Sequence, residues 1–115
     1  MKGGDKISLT FDEKRRYFIS ECKQKKIMVK MLIETNEKIE TDGERDDLIM
    51  EKESLTMRLN YINNVISSIH DPIARNYIEC LWVNGYGKKK TSLMNNNVNE
   101  STIYQTIKKE LIKVL

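Results

Sequence analysis

Two long stretches without glycine or proline constrain what this chain can fold into. They cover residues 5–42 and 44–71, and Gly43 separates them. Glycine and proline are the residues that interrupt helices most strongly, whereas Lys, Glu, Leu, Ile and Met, which are common here, favour helices over strands. Both stretches therefore predict long helices.

The first stretch carries a helix-start signal. Thr10 and Glu13 match the capping box, in which the hydroxyl and the carboxylate bind free amides of the first turn. We therefore expect a helix from about Phe11 to Glu40. Its apolar residues form an uneven stripe made of Phe11, Phe18, Cys22, Val29, Leu32, Ile33 and Ile39, widened by Ile27, Met28 and Met31.

The second stretch has a more regular apolar pattern and predicts a helix from about Glu44 to Ser68. Spacings of four and three residues alternate along its seam, which consists of Leu48, Leu55, Leu59, Ile62, Ile66 and Ile69. Because the turn at 41–43 is short, the two long helices are expected to pack as an antiparallel hairpin. The alternative is a coiled-coil arm between subunits, which would make the protein a homodimer through its N-terminal helices.

A third helix is expected to begin at Asp71 and Pro72. Aspartate is a good N-cap, and proline is favoured in the first helical position. The helix should continue through Trp82 and end at Gly85, and Lys88–Met94 is a short helix candidate after it.

The last helix is expected over Glu100–Val114, with Asn99 as its N-cap. Asn95–Asn97 precedes it and predicts a turn, since asparagine tolerates left-handed backbone conformations. Its inward face would consist of Ile103, Ile107, Leu111 and Val114.

The expected fold is therefore all-α, with two long helices followed by a three-helix module. We divide the chain into an N-terminal helical arm, residues 1–70, and a C-terminal module, residues 71–115. Three short helices with a turn between the last two form the plan of a helix-turn-helix.

The positive charge is concentrated at one end of the chain. Residues 85–115 contain six lysines and two glutamates, a net charge of +4, whereas residues 1–84 carry −1. A local basic excess is typical of a surface that binds phosphates. A solvated lysine-rich tail is the alternative interpretation.

The composition predicts a cytoplasmic protein. No apolar run approaches the roughly 20 residues that a membrane span needs. The start Met1–Asp5 is polar and resembles no secretion signal. Cys22 and Cys80 are expected to be reduced, buried thiols.

No catalytic, cofactor or metal site is expected. The single histidine, His70, stands at a helix boundary, where serving a helix terminus is its simpler role. The sequence has no Cys/His cluster with metal-ligand spacing and no glycine-rich phosphate loop.

The helix-turn-helix plan places the last helix in the major groove of DNA. With Ile103 and Ile107 inward, base edges and phosphates would meet the polar outer residues near the helix start. These are Glu100, Ser101, Tyr104, Gln105 and Lys108. The expected phosphate contacts are Lys88, Lys89, Lys90 and Lys109.

The segments "RLNYINNVISSIHDPIARNYIECLWVNG" and "VNESTIYQTIKKELIKVL" carry a family resemblance. Residues 59–115 resemble the C-terminal module of phage transcriptional regulators of the ArpU and RinA kind, which are similar to the fourth region of sigma-70-type factors. The resemblance implies a regulator of late phage genes in a bacterial host. It assigns the cap to Asn99, which would lie at the DNA surface, and DNA contacts to Ser101, Thr102, Tyr104, Gln105 and Lys108.

The chain departs from that family in the helix before the turn. An Ile-Ala pair, a Leu and a Gly are usual there, whereas this chain has Ser92, Leu93, Asn96 and Asn97. A supporting helix with few apolar groups suggests a second hypothesis, a modulator that binds RNA polymerase or another regulator and has little DNA binding. A small DNA-packaging subunit, which also combines a helical hairpin with a helix-turn-helix, is a third hypothesis.

Overall fold

The computed structural model describes residues 9–115, and every regular element in that range is helical. The two long helices are α1 (Phe11–Asp42) and α2 (Asp46–Ser67). Three shorter helices follow, α3 (Pro72–Ile78), α4 (Lys88–Met94) and α5 (Glu100–Val114). The all-α prediction is confirmed, with α1 and α2 packed as a hairpin. No helix in this range is both long and apolar enough to cross a membrane.

The helix starts follow from local signals in the sequence. Thr10 Oγ1 accepts a hydrogen bond from the Glu13 amide at 3.1 Å, and Glu13 Oε1 accepts one from the Thr10 amide at 2.9 Å. These bonds lower the pKa of Glu13 below its ordinary value. Asp71 Oδ1 caps α3 by accepting from the Ile73 amide at 2.9 Å.

Gly43 ends α1 two residues beyond the predicted end at Glu40. Its φ of +86° lies in the left-handed region, which glycine adopts without steric cost. The chain then reverses, and Arg45 stands as the N-cap of α2. The turn between the two long helices is therefore as short as the sequence predicted, and the helices lie antiparallel.

The hairpin buries one narrow strip on each long helix. All six residues of the α2 seam are buried, as predicted, and Phe18, Cys22 and Met28 of α1 are buried with them. The predicted stripe of α1 was too wide, because one neighbouring helix covers only one side of it. Four of its residues are exposed, namely Ile27, Val29, Met31 and Ile33.

Two polar pairs cross the hairpin on one side. Arg58 Nη2 lies 3.0 Å from Glu21 Oε2, and the Glu21 carboxylate is almost fully buried. Nearer the tip of the arm, the Thr35 hydroxyl donates to a carboxylate oxygen of Glu51. These pairs fix the register of α1 against α2, because a buried carboxylate without its partner would be costly.

A π-helical turn, Glu79–Val83, continues α3 where an ordinary helix through Trp82 was predicted. Its wider hydrogen bond joins the Asn84 amide to the Glu79 carbonyl at 2.8 Å. The turn carries Trp82, whose ring meets Phe18 of α1 edge-on at 6.0 Å between centroids. One core therefore runs from α1 and α2 into α3 and α5, across the boundary proposed at residue 70.

Candidate nucleic-acid interface

The turn between α4 and α5 has the left-handed backbone that its asparagines predicted. Asn96 and Asn97 have φ values of +62° and +55°. The Asn97 amide donates to the Ser92 carbonyl at 2.9 Å, and Ser92 Oγ donates to the Val98 carbonyl at 2.9 Å. Asn99 Oδ1 then accepts from the Thr102 amide at 3.1 Å, which confirms the predicted cap. This turn sets the direction in which α5 leaves α4.

The buried side of α4 is polar. Thr91 and Asn95 are buried there, whereas Leu93 and Met94 are exposed to solvent. Asn95 Nδ2 donates to the Thr91 carbonyl at 2.7 Å, and Asn95 Oδ1 accepts from Asn76 Nδ2 of α3 at 2.6 Å. Hydrogen bonds therefore hold this helix against α3.

The inward face of α5 is the predicted one. Ile103, Ile107 and Leu111 are buried, and Val114 is half-buried. The opposite face of α5 exposes Glu100, Ser101, Thr102, Gln105, Lys108 and Lys109.

Tyr104 lies at the edge of the exposed face and is half-buried. Its ring packs against Tyr77 of α3, with 5.9 Å between centroids and an edge-on geometry. Burial raises the pKa of Tyr104 above its ordinary value. Tyr104 was predicted to face outward, but much of its ring belongs to the packing of α5 on α3.

The lysines at the start of α4 lie next to the first turns of α5. Lys88 Nζ lies 3.6 Å from Glu100 Oε2 and 6.0 Å from the centroid of the Tyr104 ring. Lys90 Nζ lies 4.2 Å from the centroid of Tyr86, a distance at which a cation is attracted to the ring. Lys88, Lys89 and Lys90 are all exposed, so their charges are available to a phosphate.

Arg15 of α1 also lies beside this region, although it was not among the predicted phosphate contacts. A cavity of about 200 Å³ is lined by Arg15, Trp82, Tyr104, Gln105, Ile107 and Lys108. The arm therefore places a guanidinium beside the exposed face of α5. The basic run Lys14–Arg16 was the only signal for it, and a run of charges does not show which helix it will approach.

The two cysteines of the chain are shielded from solvent. Cys22 and Cys80 are free and buried, and burial raises the pKa of Cys22 to about 12. Within residues 9–115, no three side chains of the histidine, cysteine, aspartate and glutamate types gather where a metal ion would fit. The polar and basic surface of α4, α5 and Arg15 is thus the most distinctive candidate site in that range.

Protein-family models, curated proteins and solved structures were all compared with this chain, and none of them matches it. The resemblance to phage regulators consequently remains an interpretation of sequence motifs.

Proposed function

We propose that this chain is a DNA-binding transcriptional regulator of the phage late-gene type, and that α5 enters the major groove. One observation carries the proposal, namely the exposed polar face of α5 with basic side chains beside it. Ser101 and Gln105 are exposed on that face, Lys108 and Lys109 follow them, and Lys88 lies against the first turn. In a helix-turn-helix complex, the N-terminal residues of the recognition helix lie against base edges in the major groove.

Gln105 is the residue we assign to base reading. It is exposed in the second turn of α5, and its amide offers both a donor and an acceptor. A glutamine in this position pairs bidentately with adenine in the major groove. Ser101 lies one turn earlier on the same face and reaches either a base edge or a phosphate.

Asn99 and Tyr104 support the recognition helix through contacts with other residues of the chain. The Asn99 side-chain oxygen is already bonded to the Thr102 amide, and the Tyr104 ring is packed on Tyr77. Both residues were assigned to the DNA surface from sequence. We now give them the role of positioning α5, with the Tyr104 hydroxyl as the part that reaches the groove.

Phosphate binding falls to cations on three helices, five exposed lysines and the half-buried Arg15. Lys88, Lys89 and Lys90 supply charge from α4, Lys108 and Lys109 from α5, and Arg15 from α1. Cations of this kind bind any duplex and position the protein, since phosphates carry no sequence information. Arg15 would also couple the orientation of the arm to the bound DNA.

A protein-binding modulator is the second candidate, and the exposed apolar pair Leu93 and Met94 on α4 favours it. In a helix-turn-helix, the supporting helix lies close to the DNA backbone, where apolar side chains gain little. The same pair would suit a contact with RNA polymerase or another regulator. Replacing both residues with serine separates the candidates, because DNA binding would persist while a protein contact would be lost.

The proposal is tested by selecting bound fragments from phage and bacterial genomic DNA at low salt, and then measuring affinities for the selected site. Gln105→Ala should lower the preference for that site by about 1–3 kcal/mol, the usual value of a good base contact. Asn63→Ala removes an exposed amide of α2 and should change nothing. Failure to enrich any sequence would contradict sequence-specific DNA binding.

A further inference from the structure

A row of exposed cations lies along the outer face of α1. Arg16, Lys23 and Lys30 stand seven residues apart, and residues at that spacing return to nearly the same direction on a helix. Lys26 lies on the same face, three residues after Lys23 and four before Lys30. All four side chains are exposed to solvent. We call these four residues the basic row.

The basic row points away from the core of the hairpin. Arg16 lies two residues before the buried Phe18, which is a rotation of about 200° around the helix axis. Lys30 lies two residues after the buried Met28 and is turned away from it by the same angle. The C-terminal module meets α1 on another side, where Lys25 forms an ion pair with the π-helical turn. The row is therefore open to a large partner.

The cations of the row differ from other cations of the arm in having no acidic partner. Arg15, Lys25 and Arg58 each form an ion pair with a carboxylate. Within residues 9–115, none of the four row residues does so. The acid nearest the middle of the row in sequence is Glu21, which is buried and bound to Arg58. The positive charge of the row is therefore not neutralised by neighbouring side chains.

The row begins beside the proposed DNA-binding surface. Arg16 follows Arg15, and Arg15 lines one cavity with Gln105 and Lys108 of α5. From Arg16 the row continues along α1 to Lys30, a distance of about 21 Å at the usual rise of an α-helix. A polyanion bound at α5 would thus meet the near end of the row first.

The distribution of charge along the arm defines where such a polyanion is attracted. Residues 14–33 contain seven basic side chains and one acidic side chain, a net charge of +6. Residues 34–53, at the tip of the arm, contain nine acidic and three basic side chains, a net charge of −6. A polyanion would therefore be attracted along the first part of α1 and repelled by the tip.

We propose that the basic row binds phosphates of the duplex DNA that flanks the site read by α5. This inference rests on the proposed function and extends the contact outside the site by about six base pairs, since each base-pair step advances about 3.4 Å. Duplex DNA fits the row better than a protein partner does. The centre of a protein interface is depleted of charged residues, whereas the row is charged along its whole length.

The experiment compares two duplexes that carry the same selected site, one of about 12 bp, little more than one turn, and one of about 24 bp. Fluorescence anisotropy at low salt measures the affinity of the full chain for each. The parent chain should prefer the longer duplex. Arg16→Ala combined with Lys23→Ala and Lys30→Ala should lose most of this preference. On the longer duplex, the slope of log affinity against log salt should be smaller in magnitude by about 2–3, since each phosphate contact contributes roughly 0.9.

A matched control removes the same amount of charge from the tip of the arm. It combines Lys38→Ala, Arg45→Ala and Lys52→Ala, and it should keep the parent's preference for the longer duplex. The replaced side chains of both variants are exposed, so both should fold. Circular dichroism and the melting temperature check this.

Each contrary outcome has its own meaning. A row variant that keeps the parent's preference for the longer duplex would overturn the inference, leave DNA binding through α5 intact, and leave the row to an acidic protein. Equal loss of the preference in the tip control would also overturn it, because net charge alone would then explain the effect. A parent chain that binds neither duplex would contradict the proposed function, and the inference with it.

Discussion

Asn76 Nδ2 donates a 2.6 Å hydrogen bond to Asn95 Oδ1, and this bond joins α3 to the end of α4. Asn95 is 4% exposed, and its own amide group donates to the Thr91 carbonyl. The orientation of the supporting helix thus depends on polar contacts with little apolar packing beneath them. A buried hydrogen bond is directional, so it fixes α4 more narrowly than apolar packing of equal strength.

Replacing Asn95 with alanine should lower the free energy of unfolding by about 1–3 kcal/mol, because the partners of the lost amide remain buried. Urea denaturation followed by circular dichroism measures the change. Asn63→Ala, an exposed amide on α2, is the control and should leave stability unchanged. If Asn95→Ala were as stable as the parent chain, the amide contacts would not be holding α4.

Two buried hydroxyls should be dispensable for stability. Tyr77 Oη and Thr91 Oγ1 have no hydrogen-bond partner among residues 9–115. Because an unbonded buried hydroxyl is unfavourable, Tyr77→Phe and Thr91→Val should each raise the free energy of unfolding by about 1 kcal/mol. Thermal melting tests both variants. A clear drop in melting temperature for either variant would mean that its hydroxyl is bonded in solution.

The Cys22 thiol should resist alkylation while the chain is folded. Its pKa is about 12, and burial is the main cause, so little thiolate exists near neutral pH. Unfolding in urea returns the thiol to its ordinary pKa and should speed the reaction with iodoacetamide by orders of magnitude, as mass spectrometry would show. Equal rates in the folded and unfolded chain would contradict the buried position of Cys22 in the hairpin core.

The elements that the sequence predicted well depend on local signals. Thr10, Asp71 and Asn99 cap helices through bonds to residues two or three positions away, so the sequence alone contains both partners. The bounds of α4 and α5 agree with the prediction for the same reason, since Gly87 and Asn95 flank α4 and Asn99 precedes α5. The seam of α2 was predictable because its spacing is regular.

The features that the sequence did not predict depend on packing between distant segments. The π-helical turn at Glu79–Val83 has no propensity of its own and brings Trp82 to Phe18 of α1. Arg15 and Gln105 line one cavity only because the arm packs beside α5. Likewise, α1 has apolar residues on several sides, and only its contact with α2 decides that Met28 is buried while Val29 is exposed.

Glu100 should oppose DNA binding. Its carboxylate lies 3.6 Å from Lys88 Nζ, so it competes with a phosphate for that lysine and repels the phosphate itself. Glu100→Gln should therefore raise the affinity for every duplex several-fold at low salt, with a smaller gain at high salt. Fluorescence anisotropy measures the effect, with Glu44→Gln at the tip of the arm as the control. Unchanged affinity in the Glu100 variant would place the DNA away from Lys88.

The most direct test of the proposed DNA binding is the salt dependence of duplex affinity for the parent chain and for a Lys88→Ala, Lys89→Ala, Lys90→Ala variant. The parent chain should bind more weakly as salt rises. Each phosphate contact contributes roughly 0.9 to the slope of log affinity against log salt, so the slope of the variant should be smaller in magnitude by about 2–3. Its affinity should fall alike for selected and unrelated duplexes, because these lysines contact only phosphates. A parent chain that binds no duplex at low salt, or a variant with the parent's slope, would contradict DNA binding through α4 and α5.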